Sequence, residues 1–203
     1  FLTLPPLGNT DGQTYLNSRG IFRMPRMGVR WSTGERCKEA DRNIPCLYAV
    51  ASNEYSEPVY IHLTFVEKGL KANLETVRKL YTVQEAYGSV AIKLGTATNV
   101  LGIAEGIETA LSATEIYKLP CWSTINANIM EKFRAPTGVT DLYIFADNDR
   151  NGTGLAAAFN CGKGNILSKN DVKKVIIRWP AKVNDFNDFL TSGDDVFEWV
   201  LNR

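Results

Sequence analysis

Apolar residues along this chain fall in short dense runs separated by polar, turn-forming segments, and the spacing of the runs changes near residue 95. Before that point residues 12–20, which include Tyr15, Leu16 and Arg19, read as a short helix stopped by Gly20. Residues 46–51 and 59–66 are rich in β-branched and aromatic side chains, with the turn-forming segment 53–58 between them, and are expected to pair as a hairpin. Residues 74–81 fit a helix or a loop, and 89–94 fit a further strand. Residues 1–95 are therefore expected to form a small mixed α+β lobe.

Strand and helix then alternate. Residues 100–104 form a short buried strand ending at Glu105-Gly106, and 109–117 follow with helical apolar spacing. Residues 121–125 read as a second strand, 129–133 as a brief helix, and 141–146 as a third strand running into Asp147-Asn148-Asp149. A helix is expected over 154–161, a fourth strand over 174–179, and a last helical region from Asp185. Repeated βα units predict an open, mostly parallel sheet with helices on both faces over 96–203.

Composition narrows the class without naming it. The 203 residues, 44% hydrophobic and 22% charged, suit one soluble domain with a small lobe. No stretch approaches the roughly 20 apolar residues that span a bilayer, so no membrane association is expected. The start, from Phe1 to Pro6, lacks a basic n-region and a small-residue cleavage site, so no signal peptide is expected. It also lacks an initiator Met, as a segment of a longer protein would. Cys37, Cys46, Cys121 and Cys161 form no C-x-x-C pair and His62 is the single histidine, which argues against a zinc site and against histidine acid–base chemistry. The thiols are expected to be reduced and His62 to be a strand residue, in a cytoplasmic protein.

Net charge is only +1, but its distribution is uneven. Arginines and lysines concentrate between Arg19 and Lys93, and acids between 141 and 149 and between 185 and 195. That division suits phosphate docking beside a metal centre, although a solvated charged surface would have the same composition. Two acidic motifs sit where strands end, which is where open α/β sheets bind ligands. One is Ile103-Ala104-Glu105-Gly106; in the other, Phe145-Ala146-Asp147-Asn148-Asp149, alternate residues let Asp147 and Asp149 share a side while Asn148 turns away. Clustered carboxylates repel unless a cation neutralises them, and oxygen ligands without His or Cys favour Mg²⁺ or Mn²⁺. Asp185 and Asp188, after the fourth strand, are candidate ligands for a second ion. No G-x-x-x-x-G-K-[ST] phosphate loop occurs.

Glu105-Gly106 after one apolar strand, then Asp147-x-Asp149 after another about forty residues later, resembles the Toprim domain of DnaG-type primases, topoisomerases, OLD-family nucleases and recombination proteins. The strings Leu101-Gly-Ile-Ala-Glu-Gly-Ile-Glu-Thr-Ala-Leu-Ser-Ala113, Ile144-Phe-Ala-Asp-Asn-Asp-Arg-Asn-Gly152 and Asp185-Phe-Asn-Asp-Phe189 resemble Toprim primases and primase–helicases of phages, plasmids and integrated elements. Tyr15-Leu16-x-x-Arg19-Gly20-Ile21 is similar to the segment that opens their polymerase core.

The resemblance implies a primase that makes short primers on single-stranded DNA from nucleoside triphosphates, with a replicative helicase in cis or trans. It implies Glu105 as acid/base or metal-linked carboxylate, Asp147 and Asp149 as metal ligands, and Asp185 and Asp188 as the third acidic motif. Asn187 stands where bacterial replicative primases carry an acid, although Asp-x-Asn-Asp is usual in the mobile-element branch. Glu108 reads as a supporting helix residue. Arg19, Arg23, Arg26, Arg30 and Lys93 are candidates for template or nucleotide phosphates. A Toprim nuclease would use the same carboxylates, and a non-catalytic nucleic-acid or replisome-binding module is a third reading. A topoisomerase would need a catalytic tyrosine on a separate domain, whereas Tyr15, Tyr48, Tyr60 and Tyr143 read as structural or motif-bound.

Overall fold

The structure is a computed structural model and describes residues 1–183, 185–193 and 195–203, with Phe189 described by its backbone. The side chain of Phe189, in the third acidic segment, and Asp194, in the acidic stretch 185–195, lie outside the described residues. Among the described residues no helix is long and apolar enough to cross a membrane.

The N-terminal lobe opens with α1 (Asp11–Ser18), whose N-terminus is capped by the Thr10 hydroxyl accepting from Gly12 N–H. An antiparallel sheet follows: β1 (Val29–Cys37), β2 (Arg42–Ser52), β3 (Pro58–Glu67), β4 (Leu70–Lys71) and β5 (Arg78–Thr82). The expected hairpin is β2–β3, longer at both ends than its apolar centre suggested. β5 lies where the sequence fits a helix or loop. It pairs along β3 from Thr64↔Arg78 to Tyr60↔Thr82 and is mostly exposed. An exposed strand carries no alternating apolar pattern, so only pairing to β3 reveals it.

The C-terminal sheet has the order β10-β9-β8-β6-β7. Its parallel strands are β6 (Val100–Ala104), β7 (Cys121–Ser123), β8 (Asp141–Phe145) and β9 (Lys174–Pro180), and β10 (Val196–Asn202) adds an antiparallel edge. The helices are α2 (Ile107–Tyr117), α3 (Ala127–Lys132), α4 (Thr153–Leu167) and α5 (Phe186–Ser192). Alternation along the strands divides their side chains between two cores. Leu101, Ile103, Leu142, Ile144, Val175 and Ile177 pack on one face with Met130, Phe133, Ala158 and Cys161 of the α3–α4 side. Ala104 and Phe145 pack on the other with α2, Phe186 of α5, and the lobe residues Tyr15, Leu16, Trp31 and Leu47. The second core is thus shared between the lobe and the parallel sheet, and Phe145 stacks 5.1 Å from Tyr117 and meets Phe186 edge-on at 5.1 Å.

Residues 89–94 do not form the expected strand. Ala91 exchanges backbone hydrogen bonds with Ser52 of β2, and Ile92 with Ser123 of β7. Consecutive residues therefore bond to different sheets, and the segment links the two lobes where its sequence pattern suggests membership of one. Strands β1 and β10 carry no clear sequence signal: β1 is broken by a register shift between Ser32 and Glu35, and Phe197 and Trp199 of β10 are exposed. His62 lies buried in β3, and all four cysteines are buried and free.

Gly102 shows how tightly β6 is held. A Cβ there would lie 2.7 Å from Leu119 Cδ1 and 2.9 Å from Phe145 Cε2. Gly102→Ala is expected to destabilise the fold by about 1–3 kcal/mol through overpacking, read as a lowered urea midpoint with an unchanged slope.

Candidate metal and phosphate site

The site is built at the C-terminal ends of neighbouring parallel strands. Ala104 of β6 is in register with Phe145 of β8, so the chain emerges at Glu105 and Asp147 on the same edge. Glu105 is held from behind: its carbonyl accepts from the Ser123 hydroxyl at 2.6 Å, and its carboxylate accepts the Ala127 N–H at the start of α3. Asn148 turns away as expected, donating its amide to the Pro180 and Lys182 carbonyls at 2.9 and 3.0 Å. Gly154, opening α4, closes the other wall. Its N–H donates to Asp149 Oδ2 at 3.3 Å, and a Cβ there would lie 2.7 Å from the Asp147 carbonyl and 3.1 Å from Glu105 Oε1.

The carboxylates feel one another. Burial, then the charges of Glu105, Asp185 and Asp149, push Asp147 up to about 7, with Arg78 opposing. Glu105 is raised by burial and by Asp149, partly offset by the Ala127 N–H. Asp185 caps α5, its Oδ1 accepting the N–H groups of Asn187 and Asp188 at 2.8 and 2.9 Å. Asp188 instead lies 3.8 Å from the Arg19 guanidinium. Among the described residues no three acidic, His or Cys side chains are gathered tightly enough to hold an ion between them. The donors nevertheless fit a hard cation in kind. All are oxygens, and Asp147 Oδ1 and Asp149 Oδ1 are buried without a hydrogen-bond partner among the described residues.

Beside these acids a buried ion group joins the two lobes. Glu108, 4% exposed on α2, accepts the Tyr15 hydroxyl at 2.7 Å and the Arg78 guanidinium at 3.0 Å, with Lys71 Nζ at 4.0 Å. Burial opposes its ionisation most strongly. The Arg78 charge, the Tyr15 hydroxyl, a backbone N–H and Lys71 together outweigh that and hold Glu108 at about 2. Tyr15 is pushed well above its ordinary range by burial and by Glu108. Burial likewise lowers His62, in the same pocket wall, to about 4.

Asn187 has a physical reason not to be acidic. It is buried, and its amide donates to the Arg19 carbonyl at 2.8 Å and to the Ser112 hydroxyl at 2.9 Å, tying α5 to α1 and α2. A carboxylate could not donate there.

The five basic residues singled out by sequence disperse. Arg19 joins the acidic group through Asp188. Arg23 and Arg26 line a cavity of about 610 Å³ with Leu94, Leu111 and Cys121, along the body of α2. Arg30 lies 5.3 Å over the Phe1 ring, and Lys93 donates to the Asn53 carbonyl at 2.9 Å. Lys71 and Arg78 take the places beside the carboxylates instead. They stand in the basic stretch but belong to no local motif, and only the pairing of β4 and β5 with β3 brings them in.

Residues 100–195 match the family model of the Toprim domain, and residues 3–90 that of a domain of unknown function (DUF7146). No curated protein matches the sequence. The chain is similar to a DnaG primase catalytic domain bound to ssDNA, at 12% identity and a TM-score of 0.60, over 93% of this chain and 70% of that one. A DNA primase domain from Pseudomonas aeruginosa matches at 8% identity and a TM-score of 0.56, over 93% and 69% respectively. The primase fragment of the bacteriophage T7 primase-helicase protein matches at 13% identity and a TM-score of 0.52, over 83% of this chain and 64% of that one. The C-terminal part of this chain is a Toprim domain. Together with its α+β N-terminal region, it has the fold of DnaG-type and phage primase domains.

Two outcomes follow from the buried groups. Glu108 titrates below its ordinary 4.5 when folded, so stability present above pH 4.5 is lost as the pH falls toward about 2. Glu108→Ala is expected to cost about 3–5 kcal/mol at neutral pH, because Arg78 and Tyr15 lose a buried partner, and Glu108→Gln to flatten the acid limb; urea melts across pH read both. Asn187→Asp is expected to destabilise by about 1–3 kcal/mol in the same assay, with Asn187→Ala milder, because a new carboxylate would face the Arg19 carbonyl.

Proposed function

We propose that this chain is the polymerase core of a DNA primase, a nucleotidyltransferase that copies single-stranded DNA into short primers from nucleoside triphosphates. On this reading residues 1–95 are the basic primase lobe and 96–203 the catalytic Toprim domain. It acts with a replicative helicase in cis or trans, during replication of a phage or mobile element in a bacterial cytoplasm. The observation that carries the reading is the meeting of two kinds of group from two lobes: Glu105, Asp147, Asp149 and Asp185 from the parallel sheet, and Lys71 and Arg78 from the N-terminal sheet within their electrostatic reach. The primase neighbours, one of them bound to ssDNA, support the choice of template.

Glu105, Asp147, Asp149 and Asp185 are the residues that would hold Mg²⁺ or Mn²⁺, and Asp188 would reach the group by leaving Arg19. A bound divalent ion neutralises the carboxylates and stabilises charge on phosphate oxygens. Arg78 spends one nitrogen on Glu108 and turns the rest of its guanidinium, half exposed, toward an incoming phosphate. Lys71 adds a second positive charge beside it. Glu105, at the same edge, serves as the acid/base or metal-linked carboxylate while the 3′-hydroxyl oxygen attacks the α-phosphorus and gives up its proton, and pyrophosphate departs. No protein nucleophile is required, and the chain contributes positioning and electrostatic stabilisation.

Primer synthesis on a single-stranded template with ribonucleotides and Mg²⁺ or Mn²⁺ tests the reading. Asp147→Ala combined with Asp149→Ala is expected to lower the rate by about a thousandfold or more, and Arg78→Ala by about a hundredfold in kcat/KM. Undiminished synthesis by the double variant overturns the assignment. Cleavage of the template in place of synthesis, dependent on the same aspartates, would identify a nuclease instead.

A further inference from the structure

Lys93, a sequence candidate for phosphate binding, sits with Trp122 and Phe133 on the α3–α4 side of the parallel sheet, whereas Arg78 sits with Glu108 on the α2 side. There it lines a separate cavity of about 330 Å³ between the 89–93 crossover, the C-terminal end of α3 and the C-terminal end of α4. The cavity is within the size range of small-ligand pockets. Three cations converge on it, Lys93, Arg134 and Lys169, against the single acid Glu54. Among the described residues none of the three forms an ion pair.

Two of them are held by neutral groups alone. Lys93 Nζ donates to the Asn53 carbonyl at 2.9 Å and the Ser56 hydroxyl at 3.3 Å, and stands 5.7 Å over the Trp122 ring. The Arg134 guanidinium donates to the Glu131 and Phe133 carbonyls at 3.1 and 2.8 Å, which aligns it at the end of α3 without neutralising it. Lys169 is exposed at the rim. The walls between the cations are part apolar, with Trp122, Phe133 and Pro136. Lys93 is half-buried, and burial lowers its proton affinity, so an anion beside it would relieve an existing cost.

We propose that this cavity is a second ligand site for a small phosphate-bearing molecule of mononucleotide size, its phosphates on Lys93, Arg134 and Lys169 and its remainder against the part-apolar wall at Pro136. The site is distinct from the carboxylate centre. Asp149 and Gly154 stand at the start of α4 and Ser168 to Asn170 at its end, about 22 Å apart along a 15-residue helix. A strand of DNA carries the same phosphate chemistry, but a volume of about 330 Å³ fits a single nucleotide and favours the small molecule.

Titration calorimetry of the intact chain with ATP in EDTA tests this without activity, because the carboxylate centre without an ion repels phosphate. Wild-type protein is expected to bind, Lys169→Glu and Lys93→Ala each to weaken binding about tenfold or more, and Asp147→Asn to leave it unchanged. Lys169 makes no hydrogen bond within the described residues, so its variant keeps the fold, and a thermal melt checks this. Absence of ATP binding, or equal loss in Asp147→Asn and Lys169→Glu, overturns the proposal. Tighter, Lys169-dependent binding of a twelve-nucleotide oligothymidylate than of ATP overturns the assignment of a small ligand.

Discussion

Glu108 is the constraint on which the arrangement of the two lobes depends. A carboxylate with 4% exposure is tolerable only if its charge is matched, and its partners come from distant parts of the chain: Tyr15 from α1, Lys71 from β4 and Arg78 from β5. Meeting that requirement clamps the N-terminal sheet against α2. The clamp is reinforced one turn further along the same helix face, where Asn187 binds both Ser112 and the Arg19 carbonyl. Hydrophobic burial supplies the area of contact, while these polar groups choose the register in which the lobes meet.

That register decides the electrostatics of the acidic edge. Parallel strands in register bring Glu105 and Asp147 out side by side, and the turn after β8 adds Asp149. Left alone such a group would take up protons, and Asp147 at about 7 is already partway there. Arg78, fixed by Glu108, is the cation that opposes this. One guanidinium therefore serves a structural pair on one side and the acidic edge on the other. It couples the stability of the interface to the charge state of the site.

Phosphate-compatible surface is distributed unevenly around this frame. Of the arginines and lysines in the N-terminal half, some are consumed by local packing, as Arg30 is by Phe1 and Arg36 by its pair with Asp41. Others lie over the body of α2, and Lys93 has crossed with its segment to the far side of the sheet. Residues 89–93 cause that crossing, since Ala91 bonds to one sheet and Ile92 to the other. A stretch of high positive charge thus becomes separate local environments.

What the sequence by itself determined is the parallel sheet and the acidic edge. Dense apolar runs such as 100–104 and 141–146, each followed by a glycine or an acid, encode strand ends locally, and strand ends are where a parallel sheet places its ligands. The same local logic located α1, the β2–β3 hairpin, the strand position of His62 and the buried, free cysteines. Only the tertiary structure decided which cations meet those acids. Arg78 lies on an exposed strand with no periodic signature, and its position comes from pairing with β3, so no reading of neighbouring residues could select it over Arg23 or Arg26. The role of Asn187 was hidden for the same reason: whether a position needs a donor or an acid depends on the Arg19 carbonyl, which reaches it from the other lobe.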